Sequence, residues 1–488
     1  MAFKLTRMIR EILKALAFSV AGSLVALIIV FIVLMEQRPD LDVWHTVDLD
    51  EEYTASGDIK TFAGYLALED RLFKQLDEMV YAKTPPEERR LINRYNRGSL
   101  ADPERWSPNW NRSFELPATS PKAGVLLLHG MSDSPYSLRH LGQRLNKAGA
   151  HVVGLRVPGH GTAPSGLVTV TWKDMASAVR LAMHHLAVQV DDRPLYIVGY
   201  SNGAALAVEY AISTILEGDT LPRTQKLVLL SPAIGVTSVA ALAVWQARLG
   251  HLLGLDKLAW NAILPEYDPY KYGSFAVNAG DVVYRLTTRI QRGLDSLKKA
   301  GTLERFPPVI AFSSVVDATV SIPALVQGLF ERLPPGDHEL VLFDINRVAE
   351  IGPILGSDPA AMIQILENDA NRRFTFSLVT NENDRSLRII ERQYYPESSE
   401  PAAVQLGLAW PLGIYSLSHV AVPFPPEDPV YGGGQAEKSP GIALGGIALR
   451  GERGVLQIPA ADMLRLRWNP FITHVDERIF GFLGLDGS

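Results

Sequence analysis

The residues best placed to do chemistry lie in one short stretch, LYIVGYSNGAALAVEYAI, Leu195–Ile212. Its first six residues are apolar and favour a strand, and the residues from Asn202 on favour a helix. Between them Gly199-Tyr200-Ser201-Asn202-Gly203 forms G-x-S-x-G. A strand that turns directly into a helix strains the residue at the turn, and only small neighbours two places either side leave room for it. Ser201 would then stand clear of the sheet at a helix N-terminus, where free N–H groups favour negative charge. The chemistry this suits is nucleophilic attack by a serine hydroxyl. The bland alternative is an ordinary tight strand–helix turn.

A serine hydroxyl needs a base, and the base needs a carboxylate to fix its tautomer. In such a sheet the chain order is serine, acid, histidine. Asp317 ends the apolar run PPVIAFSSVVD and is the candidate acid, with Asp344 at the end of HELVLFD as runner-up. Either could instead cap the next helix. Of the histidines beyond Asp317, His338 opens its strand at the wrong end of the sheet. His474 falls in a terminal helical pattern. His419, in GIYSLSHVAVPFP, lies in a loop after HELVLFD, read as the last strand, and is the candidate base. Two N–H donors are needed for the developing oxyanion. Asn202 follows the nucleophile, and Met131 follows the turn His129-Gly130. His129 precedes Ser201 and reads as a positioning side chain, and His160 in PGHG as a loop-shaping one. His184 and His185 are adjacent, so they share no helix face, and there is no H-E-x-x-H. No metal site is expected from them.

These residues need a scaffold. From Pro121, apolar strands alternate with amphipathic helices through KLVLLSPA. This pattern predicts a doubly wound, mostly parallel α/β sheet with its crevice at the carboxyl ends of the strands. Residues 235–305 break the rhythm and read as a helical cap insertion. Residues 348–412 read as a second insertion, in which RFTFSLVT and SLRIIERQYY could pair as a hairpin. Residues 432–456 hold eight glycines in neither phosphate-loop pattern and read as a surface loop. RLRWNPFITHVDERIFGFL reads as a closing amphipathic helix. Residues 36–120 read as a stalk and lead-in packed on the main domain of 121–488, with a helical piece over Thr61–Ala82.

The N-terminus suggests an address. Ala15–Met35 is a run of 21 uncharged residues, long enough to cross a hydrocarbon core of about 30 Å. Lys4, Arg7, Arg10 and Lys14 precede it, whereas Glu36–Glu52 holds seven acidic residues and only Arg38 on the basic side. The positive-inside rule puts residues 1–14 in the cytoplasm and the catalytic domain on the far, periplasmic side of an inner membrane. A cleaved signal peptide fits less well, because the run is long and ends without A-x-A. The net charge of −6 offers nothing to nucleic acid, and the lack of cysteine removes disulfides and thiol nucleophiles.

Taken together, LLLHGMSDSPYSLRHLGQRL, LRVPGHG, GYSNGA, SSVVDATV and SLSHVAVPF resemble the α/β-hydrolase fold, in its monoacylglycerol lipase and carboxylesterase branch. The resemblance covers about Ala123–Pro232 and shorter pieces around Asp317 and His419. It implies a cofactor-free serine hydrolase with a triad at Ser201, Asp317 and His419 and an oxyanion hole at Met131 and Asn202. The substrate would be a small or lipid-like ester. The membrane anchor, the long lead and the wide spacing of Asp317 and His419 depart from the family pattern. The other readings are a membrane-anchored binding protein of the same fold without turnover, and an acyltransferase.

Overall fold

The computed structural model describes residues 10–485 apart from 236–255, 350–358, 434–438, 446–465 and scattered positions within 17–36 and at 318, 397 and 399. The longest helix of the lead-in is α1 (Phe62–Leu76), capped by Thr61 Oγ1 accepting from Gly64 N at 3.1 Å. It enters the sheet through a short strand, β1 (Phe114–Leu116).

Six parallel strands carry the centre: β2 (Ala123–Leu128), β3 (Ala150–Leu155), β4 (Leu195–Tyr200), β5 (Lys226–Leu230), β8 (Val309–Ser314) and β9 (Glu339–Phe343). Two short strands, β6 (Trp260–Ala262) and β7 (Phe275–Ala276), pair separately. Beyond β9 the sheet continues through β10 (Thr375–Asn381), β11 (Arg388–Tyr394) and β12 (Ala402–Ala409), in the order β1-β3-β2-β4-β5-β8-β9-β10-β11-β12. HELVLFD is therefore not the last strand. The hairpin expected in the second insertion forms as β10 and β11, and β10 lies parallel on β9, so this region extends the main sheet.

The central strands are apolar on both sides because both faces are covered. One face meets α3 (Trp172–Val190), α4 (Asn202–Leu216) and α5 (Val277–Ala300); the other meets α2 (Arg139–Lys147) and α6 (Ile472–Leu483). Ile197 and Leu229 point to the first core, and Val198 and Leu230 to the second. The structure differs from the expected cap here. The helix in YRLTTRIQRGLDSLKKAG is part of α5, a sheet-covering helix. A Cβ on Gly293 would lie 2.6 Å from Ile212, so glycine lets α5 pack close on α4. The apolar helix expected within 236–255 lies outside the described residues, as does most of the glycine-rich stretch.

The N-terminal segment is helical wherever it is described, and Leu16, Phe18, Val20, Val25, Ile29 and Val33 are exposed on it. Among the described residues no helix is long and apolar enough to cross a membrane. Several positions of the expected span, Ala17 and Leu24 for example, lie outside them.

Strand order reverses between β2 and β4: the chain steps from β2 to β3 on one side, then returns to the other side of β2. A crevice opens at such a switch point, at the carboxyl ends of the strands. Met131 follows β2 and Ser201 follows β4, so both flank it.

Candidate active site

Ser201 has φ 54° and ψ −115°, a conformation disfavoured for a residue with a side chain. The flanking glycines make it possible. A Cβ on Gly199 would lie 2.5 Å from the backbone of Ala204, and one on Gly203 would lie 2.1 Å from Leu128 O. The turn is locked by Ser201 N donating to Leu230 O at 2.9 Å and by Ala204 N and Ala233 N donating to Ser201 O, both at 3.1 Å.

Asp317 and His419 converge on this serine. His419 Nε2 stands 3.1 Å from Ser201 Oγ, and His419 Nδ1 stands 2.7 Å from Asp317 Oδ2. The other oxygen of Asp317 accepts from Thr319 N and Val320 N, both at 3.0 Å. Loop capping and histidine orientation, weighed against each other from sequence, thus fall to different oxygens of one carboxylate. With Asp317 an acceptor, the His419 proton sits on Nδ1, which leaves Nε2 to accept from the serine. All three side chains are buried. Asp344 is engaged elsewhere, with Arg347 Nε at 2.9 Å and Thr380 Oγ1 at 2.7 Å on the same oxygen.

The loop bearing His419 is held from two sides. Asn346 Nδ2 donates to Ile414 O at 2.8 Å and Asn346 N to Tyr415 O at 2.7 Å. From the C-terminal side, Ser418 Oγ donates to Leu466 O at 2.8 Å, and Asn469 N to Phe424 O at 2.7 Å. These long connections replace the short strand-to-histidine link that a compact domain would use.

Met131 and Asn202 flank the nucleophile, with Gly130 so close that a Cβ there would lie 3.1 Å from Ser201 Cβ. Asn202 opens α4, so its N–H has no intrahelical partner. His129 positions the turn. Its Nδ1 donates to Gly130 O at 2.9 Å, and its Nε2 accepts from Val157 N at 3.0 Å. Burial pushes this imidazole down to about 3, so it is neutral and both nitrogens are used. Burial does the same to His160, also to about 3, with His129 adding to it.

The remaining histidines lie away from the crevice. His338 Nδ1 accepts from Val309 N at 3.2 Å at the amino end of β8, and His474, on α6, lies 3.4 Å from Glu391 of β11. His151 and His185 share Glu115 Oε1 at 2.6 and 2.9 Å. Among the described residues no group of three or more His, Asp or Glu side chains is arranged to hold a metal ion. A cavity of about 420 Å³ lies between the lead-in and residues 263–267, lined by Asp42, Trp44, Glu88 and Tyr267; it touches none of Ser201, Asp317 or His419.

Sequence reasoning missed the lead-in's part in shaping the crevice. Arg156, fully buried just past β3, makes a two-pronged pair with Glu52 at 3.0 Å in both arms and meets Glu69 at 3.2 Å. Glu52 also accepts from Gly159 N at 3.0 Å. No motif flags such a pair, because its members lie about 100 residues apart in the chain.

Residues 119–344 match the family described as "Serine aminopeptidase, S33". Thermostable monoacylglycerol lipase from Bacillus sp. (strain H-257) is 28% identical over 118 residues, which span 24% of this chain and 44% of that relative, less than half its length. Among solved structures, the metagenome-derived lipolytic enzymes LipS and LipT give 21% identity over 48% of this chain and 87% of theirs, with a TM-score of 0.37. Monoacylglycerol lipase of Paleococcus ferrophilus gives 22% identity over 48% and 88%, with a TM-score of 0.36.

Proposed function

We propose that this chain is a lipase- and esterase-like α/β-hydrolase that cleaves carboxylic esters through an acyl-enzyme on Ser201, in keeping with the family match over residues 119–344 and the lipase relative. The observation that carries the proposal is the unbroken line of contacts Ser201 Oγ–His419 Nε2 and His419 Nδ1–Asp317 Oδ2, at 3.1 and 2.7 Å. In the first half-reaction His419 Nε2 takes the serine proton as Oγ attacks the ester carbonyl. The oxyanion so formed meets the N–H groups of Met131 and Asn202, and the N-terminus of α4 adds a favourable field. His419 then gives its proton to the departing alkoxide, which leaves as the alcohol. In the second half a water repeats the sequence on the acyl group and releases the carboxylic acid. Asp317 stays ionised throughout and steadies the imidazolium.

The substrate class that fits is a lipid-like ester, in keeping with the monoacylglycerol lipase relative. The N-terminal segment is proposed as a single-pass anchor that holds the catalytic domain on the periplasmic side of the inner membrane. Its support is the uncharged run, the basic residues before it and the exposed apolar side chains on the described part.

The test is labelling with a fluorophosphonate probe, then hydrolysis of an ester series of rising acyl length. Wild-type protein should label and Ser201→Ala should not; labelling that survives Ser201→Ala rules out this nucleophile. Release of the protein from membranes by alkaline carbonate would rule out the anchor.

A further inference from the structure

The segment Asp268–Ser274 lies across the turn that carries Met131. Tyr272 N donates to Ser132 O at 2.8 Å, and the Tyr272 hydroxyl accepts from Thr162 N at 2.8 Å. Between Tyr270 and Tyr272, Lys271 sends its ammonium to 2.9 Å from Asp133 Oδ2. Asp133 is 2% exposed and lies two residues past Met131. Neither of its oxygens accepts an aligned hydrogen bond among the described residues, so the Lys271 charge is the interaction that meets it. The same ammonium stands 5.5, 5.3 and 5.8 Å from the ring centroids of Tyr200, Phe424 and Tyr431. Tyr200 precedes the nucleophile, and Phe424 lies five residues past His419. One cation therefore borders the oxyanion turn, the nucleophile strand and the His419 loop, three of the four segments that build the site.

The turn needs such a hold. Ser132 has φ 59°, a left-handed backbone that a residue with a side chain keeps only when its surroundings enforce it. It lies between the Met131 donor and Asp133. Tyr272 takes the Ser132 carbonyl, and Lys271 faces the next residue's carboxylate. Recognition of a substrate anion by Lys271 is the competing role. The ammonium is mostly buried and already neutralised by Asp133, so it has little net charge to offer a ligand.

We propose that Lys271 and Asp133 are a positioning pair that holds the strained turn so that the Met131 N–H meets the oxyanion. The proposal rests on the serine hydrolase reading above. It predicts that the pair acts in the transition state and little in substrate binding.

The experiment uses the full chain as Lys271→Met, Asp133→Asn and the double variant. Each is assayed for kcat and KM on an activated ester and for thermal midpoint. Each is also assayed for affinity to a trifluoromethyl ketone, which Ser201 converts to an anionic tetrahedral adduct. Either single variant should lose about 10- to 100-fold in kcat, short of the loss of an oxyanion donor outright, with KM nearly unchanged. Ketone affinity should fall in step with kcat/KM. Should a single variant fail to fold because it leaves a buried charge alone, the double variant removes both charges and should fold with kcat still reduced. A folded variant that keeps wild-type kcat and ketone affinity overturns the proposal. So does one that raises KM and leaves kcat unchanged, which would assign Lys271 to substrate recognition. Wild-type protein that reacts with neither the fluorophosphonate nor the ketone would overturn the hydrolase reading, and this proposal with it.

Discussion

Asp317 and His419 are 102 residues apart in the chain, yet Asp317 Oδ2 and His419 Nδ1 are in contact at 2.7 Å. The intervening chain adds β9 to β12 to the sheet, and the His419 loop then returns across the carboxyl ends of the central strands to reach Asp317. The second oxygen of Asp317 pins its own loop through Thr319 N and Val320 N.

That division of labour makes a sharp prediction. In Asp317→Asn the amide oxygen can still accept from Thr319 and Val320, so the fold is retained. The amide NH₂ then faces His419 Nδ1, which forces the proton onto Nε2, where it cannot accept from Ser201. kcat should fall by about 10⁴-fold with little change in thermal midpoint. Asp344→Asn should do the reverse, weakening the contacts to Arg347 and Thr380 at a cost of about 1–3 kcal/mol while kcat stays within about tenfold. Steady-state kinetics and thermal melts on both variants check the pair.

The nucleophile turn is limited by space. A Cβ on Gly203 would sit 2.1 Å from Leu128 O, against backbone that has no rotamer to move. Gly203→Ala should therefore push β2 and α4 apart and destabilise the protein by roughly 3 kcal/mol or more, in the range of strained or overpacked cores. Urea titration of the purified variant is the measurement. A midpoint equal to wild type would mean that the turn is looser than described.

Much of the site was legible because its chemistry is local in sequence or fixed in order. The G-x-S-x-G spacing placed Ser201, and the ends of strands placed Asp317. Elimination by position left His419, since His338 opens its strand and His474 sits on a helix. What was not legible depends on long-range contact. β10 and β11 read as a hairpin from their turn, but nothing in their residues says that β10 will lie on β9. The helix in YRLTTRIQRGLDSLKKAG has a pattern that fits a cap as well as a sheet layer. Only the close approach of Gly293 to Ile212 separates the two. The Arg156 cluster was invisible for the same reason, as its carboxylates come from the lead-in.

That cluster yields a test of the lead-in. Glu52→Gln leaves the buried Arg156 guanidinium with Glu69 as its remaining carboxylate partner and removes the two-pronged contact. Breaking a buried pair on one side costs about 3–5 kcal/mol. The expected result is a clear drop in thermal midpoint, with loss of activity tracking unfolding. A chain begun at Pro121 would strand Arg156 with neither carboxylate and should be recovered as aggregate. Recovery of that shortened chain as monomeric, active protein would show that the lead-in is dispensable.

Acid should act first on the turn that holds the Met131 donor. His129 titrates near 6.5 when unfolded and is held down to about 3 in the fold, chiefly by burial. A depressed folded value means that the unfolded chain binds the proton first. The stability this group contributes is fully present above pH 6.5 and is lost as pH falls from there toward about 3. His160 beside it follows the same course, held down to about 3, again chiefly by burial. Asp476 runs the opposite way. Burial raises it to about 7 from 3.8, so its contribution is present below pH 3.8 and is lost as pH rises through about 7. Thermal midpoints measured from pH 4 to 8 should therefore fall on the acid side through the histidines. His129→Asn should flatten that limb, because its side chain takes up no proton, although it destabilises the turn at neutral pH. Asp476→Asn should remove the loss between pH 3.8 and about 7 and so steepen the acid limb that the histidines produce, since the buried side chain then gains no charge on deprotonation. An acid limb of unchanged slope in His129→Asn would mean that proton uptake at this imidazole does not limit the stability of the site.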